Sequence, residues 1–274
     1  MSYPPRPIAF VLAASNHGSM IVNRNDYRMI DAQQGYGVGF QILSKSCFDP
    51  DEIRFALALL DCRRKFYGDG VIALDGGANI GVHTIEWSRH MHGWGEVTAF
   101  EAQETVFYAL AGNIALNNCL NARARNAALG AVVGEIEIPK PNYLLPASFG
   151  SLELRAGANN EFIGQKISYA PKDCTRVSLV SIDSLALARL DLLKIDVEGM
   201  ELDVLQGADA TLMRHKPVLI VEAIKADRAQ IETVLTRLNY KIFPMGLNLL
   251  GIHAEDPTLQ RLSTSEHGVV LATV

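Results

Sequence analysis

From Val71 onward the chain alternates strand-like runs with stretches of helical period, and no other feature constrains the fold as much. The runs "VIALD", "EVTAFEA", "ARARNAALG", "DLLKIDV" and "PVLIVEA" read as strands. Between them, "IGVHTIEWSRHM", "TVFYALAGNIALNN", "GMELDVLQGADATLMRH" and "RAQIETVLTRLN" read as helices. Strands that are apolar on both faces need cover on both faces. The pattern therefore predicts an α/β fold, a mostly parallel sheet between two helix layers. The last of these segments, "YKIFPMGLNLLGIH", reads as an antiparallel hairpin. In such sheets ligands sit beyond the carboxyl ends of the strands.

Upstream, "DPDEIRFALALLDCRRKFYG" reads as a helix capped by Asp49, with Pro50 at its first position and Gly68 ending it. Residues 1–50 carry turn residues between short apolar pieces. The expected division is an N-terminal extension or flap over 1–50, packed on a domain over 51–274. "GEIEIPK" reads as an added hairpin arm, and residues 140–176 are loop-rich. A net charge of -5 gives no general attraction to nucleic acid or anionic membranes. The four cysteines, Cys47, Cys62, Cys119 and Cys174, form no CxxC pair. They read as free thiols in a reducing compartment rather than as zinc ligands. The apolar run Ile8 to Ala14 lacks the basic start of a signal peptide and is too short to span a bilayer, so a strand and a cytoplasmic protein are expected.

The segment "LDGGANIGVHT" follows the first strand of the alternation and opens a helix, the arrangement that holds a nucleotide-like ligand. A dinucleotide fingerprint, G-x-G-x-x-G, fails here because Ala78 stands where its second glycine belongs. Asp75, Gly77 and Gly81 instead fit Asp-x-Gly-x-x-x-Gly. Gly77 lets backbone approach a ligand closely. An acid at the tip of the strand repels a pyrophosphate and suits the ammonium and sulfonium of S-adenosylmethionine (SAM). Glu101 ends the second strand, where a carboxylate accepts hydrogen bonds from ribose hydroxyls in either class of enzyme. Asn126 and Ala127 lie where an adenine edge is read, although Asn126 also suits a turn.

The segments "VIALDGGANIGVHT", "VTAFEAQETVFYALAGNIALNN", "NAALG", "SIDSL", "LLKIDVEGMELDVLQGA" and "PVLIVE" resemble, in order and spacing, the FkbM family of SAM-dependent methyltransferases over roughly residues 50–225. The resemblance implies a Rossmann-like class I methyltransferase fold, with a seven-stranded sheet ending in an antiparallel hairpin. It implies SAM as cofactor, with Asp75, Gly77, Asn79 and Gly81 as its loop and Glu101 on the ribose; Gly76 and Ala78 within the loop, and Ala102 beside Glu101, are further cofactor-binding candidates. Ala102 and Gln103 follow the acid where the family often has proline. Characterised members mostly methylate hydroxyls of sugars and related natural products, so a small-molecule or glycan acceptor is expected.

A hydroxyl acceptor must lose a proton, so a base within hydrogen-bond reach is sought. Lys194, Asp196 and Glu198 alternate along one strand and point to one side. Asp196 or Glu198 is a base or substrate ligand with Lys194 tuning it, or the three form a structural network that caps the next helix. Glu222 binds a substrate hydroxyl or is a solvated strand end. His83 is a base facing the acceptor or a packed histidine. Asp183 is expected to cap the short helix after it. Asp196, Glu198 and Glu222 are oxygen ligands suited to Mg²⁺, but no close-spaced metal motif such as HExxH is present, and no obligatory metal is expected. Tyr36, Phe40, Tyr143 and Phe149 are aromatic candidates for an acceptor wall built from 1–50 and 140–176. Competing readings are an NAD-dependent oxidoreductase, against which the failed fingerprint argues, and a binding module that has lost turnover.

Overall fold

The computed structural model describes residues 6–31, 34–265 and 268–272; Pro4 and Pro5 and the outermost parts of the 1–50 and 51–274 division lie outside them. The elements used below are β1 (Phe10–Ser15), β2 (Gly18–Asn23), α1 (Val38–Lys45), α2 (Pro50–Tyr67), β3 (Val71–Gly76), α3 (Val82–His90), β4 (Gly95–Glu101), α4 (Glu104–Leu116) and β5 (Ala122–Asn126). They continue as β6 (Gly134–Pro139), β7 (Cys174–Val180), β8 (Leu192–Ile195), α5 (Glu201–Gln206), α6 (Asp209–His215), β9 (Val218–Glu222), α7 (Arg228–Arg237), β10 (Tyr240–Met245) and β11 (Asn248–His253). The central sheet has seven strands in the order β10-β11-β9-β8-β3-β4-β5. Strands β9, β8, β3, β4 and β5 are parallel, and the hairpin β10–β11 closes one edge antiparallel. This is the Rossmann-like class I fold.

The period of two in the strands sorts side chains onto two faces. Val71, Ala73, Leu192, Val218 and Ile220 pack on one face with Leu59 and Leu60 of α2 and Trp87 of α3. Their neighbours Leu74, Leu193, Ile195, Leu219 and Val221 pack on the other with α5, α6 and α7. Burying each such chain is worth about 1.5–3 kcal/mol. The chain runs outward from β3 through β4 to β5, then returns to β8 on the other side of β3. The strand order reverses between β3 and β8, and a crevice opens at the carboxyl ends there. Glu101 and Glu222 end their strands, Asp75 is the last residue but one of β3, and Asp196 follows the end of β8.

The hairpin β1–β2 belongs to the core. Met20 and Val22 are fully buried against Ile80, Val82, Ile85 and Val106. Asn113 of α4 clamps it, accepting from the Ile21 N–H (2.5 Å) and donating to the carbonyls of Ile21 and Ile80.

Four local expectations need correction. The strand "DLLKIDV" stops at Ile195: the Asp196 N–H still donates to the Gly76 carbonyl (3.0 Å), but Glu198 takes a left-handed φ of 55° and the chain turns away. The single helix expected over 199–215 is two, α5 and α6, broken at Gly207. A Cβ on Gly207 would meet the Gly130 carbonyl oxygen at 2.1 Å, and its own carbonyl accepts from the Asp183 N–H. Asp183 does not cap the short turn after it. Its carboxylate accepts from the N–H groups of Ala210 and Thr211 and from the Thr211 hydroxyl, so it caps α6. "GEIEIPK" forms β6, but its partner is the distant β7 rather than a hairpin neighbour, and the intervening residues fold toward the crevice.

Candidate active site

The crevice widens into a cavity of about 410 Å³, within the range of small-molecule sites. Its floor is the loop after β3. Gly77 takes φ 77°, and a Cβ there would lie 1.7 Å from the Asp196 carbonyl oxygen. The close approach that requires glycine is therefore to the neighbouring strand end as well as to the cavity. Asn79 is left-handed at φ 50°, and its side-chain oxygen accepts from the Ile80 N–H (2.8 Å), which fixes the entry to α3. Glu101 is buried at the floor's edge, with Oε2 accepting from the Asn79 N–H (2.9 Å) and Oε1 from the Gln103 N–H (2.8 Å). Burial pushes its carboxyl up to about 7, against the pull of those two N–H groups. Each oxygen keeps a lone pair for a ligand hydroxyl.

Asp75 lies beneath this floor rather than on its surface. It is buried, its Oδ2 accepts from the Thr84 hydroxyl (2.6 Å), and its Oδ1 has no partner among the described residues. Gly76 and Gly81 likewise support the loop from below, whereas Gly77, Ala78 and Asn79 line the cavity. Ala102 and Ala127 line it as well. Asn126 does not. Its amide donates to the carbonyls of Glu101 and Ala102 (2.9 and 3.1 Å) and ties β5 to the turn under Glu101.

Opposite the loop, Lys194 Nζ lies 2.6 Å from Asp196 Oδ2. Burial works against the lysine charge, but Asp196, Asp75 and Glu52 outweigh it and push its pKa above the ordinary lysine value. Glu198 Oε2 lies 2.6 Å from Lys225 Nζ. Lys225 also reaches Glu161 Oε2 (3.1 Å) and donates to the Ser151 carbonyl (2.6 Å). Oxygens of Asp196, Glu198 and Glu222 come within 4.8 Å of one another, so the three acids do converge. Burial and the Asp196 charge push the Glu222 carboxyl up to about 8, and the same two causes raise Glu198, with Lys225 opposing. His83 lines the same cavity, 3.2 Å from Glu52 Oε1.

Of the two stretches expected there, residues 36–49 and 148–161 wall the cavity. Of the four aromatic candidates, Tyr36 lines it, donating to Glu161 Oε1 (2.5 Å). Tyr143 and Phe149 pack on each other at 4.8 Å, with Phe149 buried, and Phe40 lies behind Gly35. The two segments are joined by Asp26, whose carboxylate accepts from the N–H groups of Gly39 and Phe149, and whose pKa burial pushes up to about 6. Gln103 holds the insertion from the sheet side, donating to the Phe149 carbonyl (2.8 Å). Glu52, Asp26, Gln103, Glu161 and Lys225 escaped the sequence reading, because each meets the site through a long-range contact. Asp49 stands at the N-cap position of α2 but makes no side-chain cap bond; it lines the cavity instead.

A family model, the methyltransferase FkbM domain, matches residues 75–242. Methyltransferase sdnD of Sordaria araneosa is 28% identical over 190 residues, covering 62% of this chain and 73% of that protein. Methyltransferase 1 of Beauveria bassiana is 26% identical over 186 residues, covering 64% and 74%. Among solved structures, methyltransferase FkbM from Methylobacillus flagellatus KT matches 68% of this chain and 44% of its own length, at 18% identity and a TM-score of 0.48. The family model spans more than half of this chain, from the acid beneath the loop to the C-terminal hairpin, and the chain belongs to the FkbM family of SAM-dependent methyltransferases.

Proposed function

We propose that this chain methylates a hydroxyl of a sugar, glycan or glycosylated metabolite. The observation that carries the reading is a single cavity shared by the loop after β3, Glu101 and a rim of acidic and basic side chains. SAM supplies the methyl group on a sulfonium. Ala78, Asn79, Ala102 and Ala127 contact the cofactor in this reading, with Gly76, Gly77 and Gly81 shaping its loop. Glu101 accepts from the ribose, and the unpartnered Asp75 Oδ1 supplies negative charge beneath the amino-acid end. Asn126 acts on the adenine side by holding the turn. Asp196, Lys194, Glu198, Glu222 and Tyr36 offer donors and acceptors around the acceptor space, as a hydroxyl-rich molecule requires. Within the 1–50 extension, residues 36–49 serve as the flap that closes this side. Much of the barrier reduction in an in-line displacement comes from such positioning.

Lys194 and Lys225 already supply positive charge to the acids of the rim, so no obligatory metal is needed. Turnover is expected to survive EDTA; loss that Mg²⁺ restores contradicts this. No helix among the described residues is long and apolar enough to cross a membrane, and a cytoplasmic activity is the reading adopted. Calorimetry with S-adenosylhomocysteine (SAH) tests the cofactor assignment. Affinity is expected to fall sharply in Asp75→Ala and Glu101→Ala, and unchanged binding in both overturns it.

A further inference from the structure

The acceptor's proton needs a destination, and one oxygen of Asp196, Oδ2, is already held by Lys194 Nζ at 2.6 Å. His83 is the other candidate. It lies on the first turn of α3, 7% exposed, and lines the cavity. The Phe48 and Trp87 rings meet it edge-on, at 6.5 and 5.7 Å between centroids, and restrict its rotation. Its Nε2 points away from solvent, toward Glu52 Oε1 at 3.2 Å, off the line of a mature hydrogen bond and with no other partner among the described residues. Glu52 is itself held from behind. Asn248, at the start of β11, donates from Nδ2 to Glu52 Oε2 at 2.7 Å. Burial works to raise the Glu52 carboxyl, but His83, Lys194 and the Asn248 amide outweigh it and leave the group below its ordinary value.

We infer that Asn248 and Glu52 are positioning residues that hold His83 as the base of the proposed methyl transfer. An ionised Glu52 has no proton to donate, so it accepts from His83 Nε2–H. That fixes the tautomer in which Nδ1 carries the lone pair, and Nδ1 is the nitrogen left for the cavity. The logic is that of a carboxylate–imidazole pair in which the acid orients the ring and stabilises the imidazolium without taking the proton. As the acceptor oxygen bonds to the methyl carbon, its proton passes to Nδ1. The methyl–sulfur bond breaks, and its electron pair stays on sulfur, giving the neutral thioether of SAH. The imidazolium rests against Glu52 until the proton leaves to solvent. The inference rests on the methyl-transfer reading for the step itself. The ring's tautomer does not depend on that reading.

The arrangement makes a prediction that packing alone does not. In Glu52→Gln the Asn248 amide still donates toward the inner position, so the glutamine oxygen turns to Asn248 and its NH₂ faces His83. Nε2 must then accept, and the ring switches to the Nδ1–H tautomer. Adding Asn248→Asp reverses the pattern: the glutamine NH₂ turns to the new carboxylate, its oxygen faces His83, and Nε2–H returns. The experiment is imidazole ¹⁵N NMR of the full chain with SAH, at a pH where the ring is neutral. The expected sequence is Nε2–H in the wild type, Nδ1–H in Glu52→Gln and Nε2–H again in the double variant. A wild-type ring protonated on Nδ1 overturns the inference even if neither variant folds, and so does a tautomer that Glu52→Gln leaves unchanged. Failure of SAH to bind, with the tautomer switch intact, counts against the methyltransferase reading and leaves the relay standing.

Discussion

Replacing Gly77 by alanine isolates the contact on which the floor of the site depends. A Cβ at this position would lie 1.7 Å from the Asp196 carbonyl oxygen and 2.7 Å from its carbon, both backbone atoms that no rotamer change moves. Gly93 is the matched control, with φ 80° against 77° and nothing within 4 Å of its added Cβ. A left-handed alanine costs about 1 kcal/mol in either place. Both variants share the gain from a stiffer unfolded chain, so their difference reports the clash. Overpacking against immobile atoms adds about 3 kcal/mol at Gly77 alone. At about 2–4 °C per kcal/mol for a chain of this size, Gly93→Ala is expected to melt about 3 °C low and Gly77→Ala about 12 °C low. Asp196 must shift to admit the methyl group, so SAH affinity should fall in Gly77→Ala and hold in Gly93→Ala. Thermal melts with and without SAH read both effects. If the two variants melt within about 2 °C of each other, the close-approach argument is refuted.

Glu101 gives a pH signature. Its folded carboxyl keeps a proton up to about 7, so the free protein loses stability as pH rises from the ordinary value of 4.5 toward 7. Ribose hydroxyls favour the ionised form, so SAH should bind more tightly, with proton release, as pH climbs toward 7 and level off above it, and Glu101→Gln should abolish the dependence; calorimetry in two buffers of different ionisation enthalpy checks this. Lys225→Met strips the cation from between Glu198 and Glu161, and should speed hydrogen exchange over residues 148–163 by about tenfold, for a contact worth about 1–2 kcal/mol. Arg63 is buried against Asp191 and Asp256 at the far end of the strands, so Arg63→Met should cost about 3–5 kcal/mol in urea unfolding while SAH affinity stays unchanged.

The sheet was legible in the sequence because its strands are apolar on both faces and its helices keep their period. The loop after β3 was legible because its acid, glycines and asparagine are adjacent in the chain. The break at Gly207 was hidden, since the cause is the Gly130 carbonyl on a distant segment. Asp183 was read as a cap for the residues that follow it, yet it caps α6, 28 positions from Thr211, because chain reversal brings that helix start to it. Asn126 suits either an adenine edge or a turn from sequence alone, and the choice rests on contacts across the fold: its amide donates to the carbonyls of Glu101 and Ala102. The relay from Asn248 through Glu52 to His83 spans three elements, and no local pattern marks it.

The reaction proposed for this cavity is methyl transfer from SAM to a hydroxyl. Its most direct test is incubation of the full chain with methyl-labelled SAM and fractionated cell-envelope glycans and polar metabolites, read by mass spectrometry. SAH is expected together with a labelled methyl ether on a sugar-bearing product, and neither with Glu101→Ala. A label found on nitrogen or carbon, or a tightly bound SAM that yields no SAH with any fraction, contradicts it.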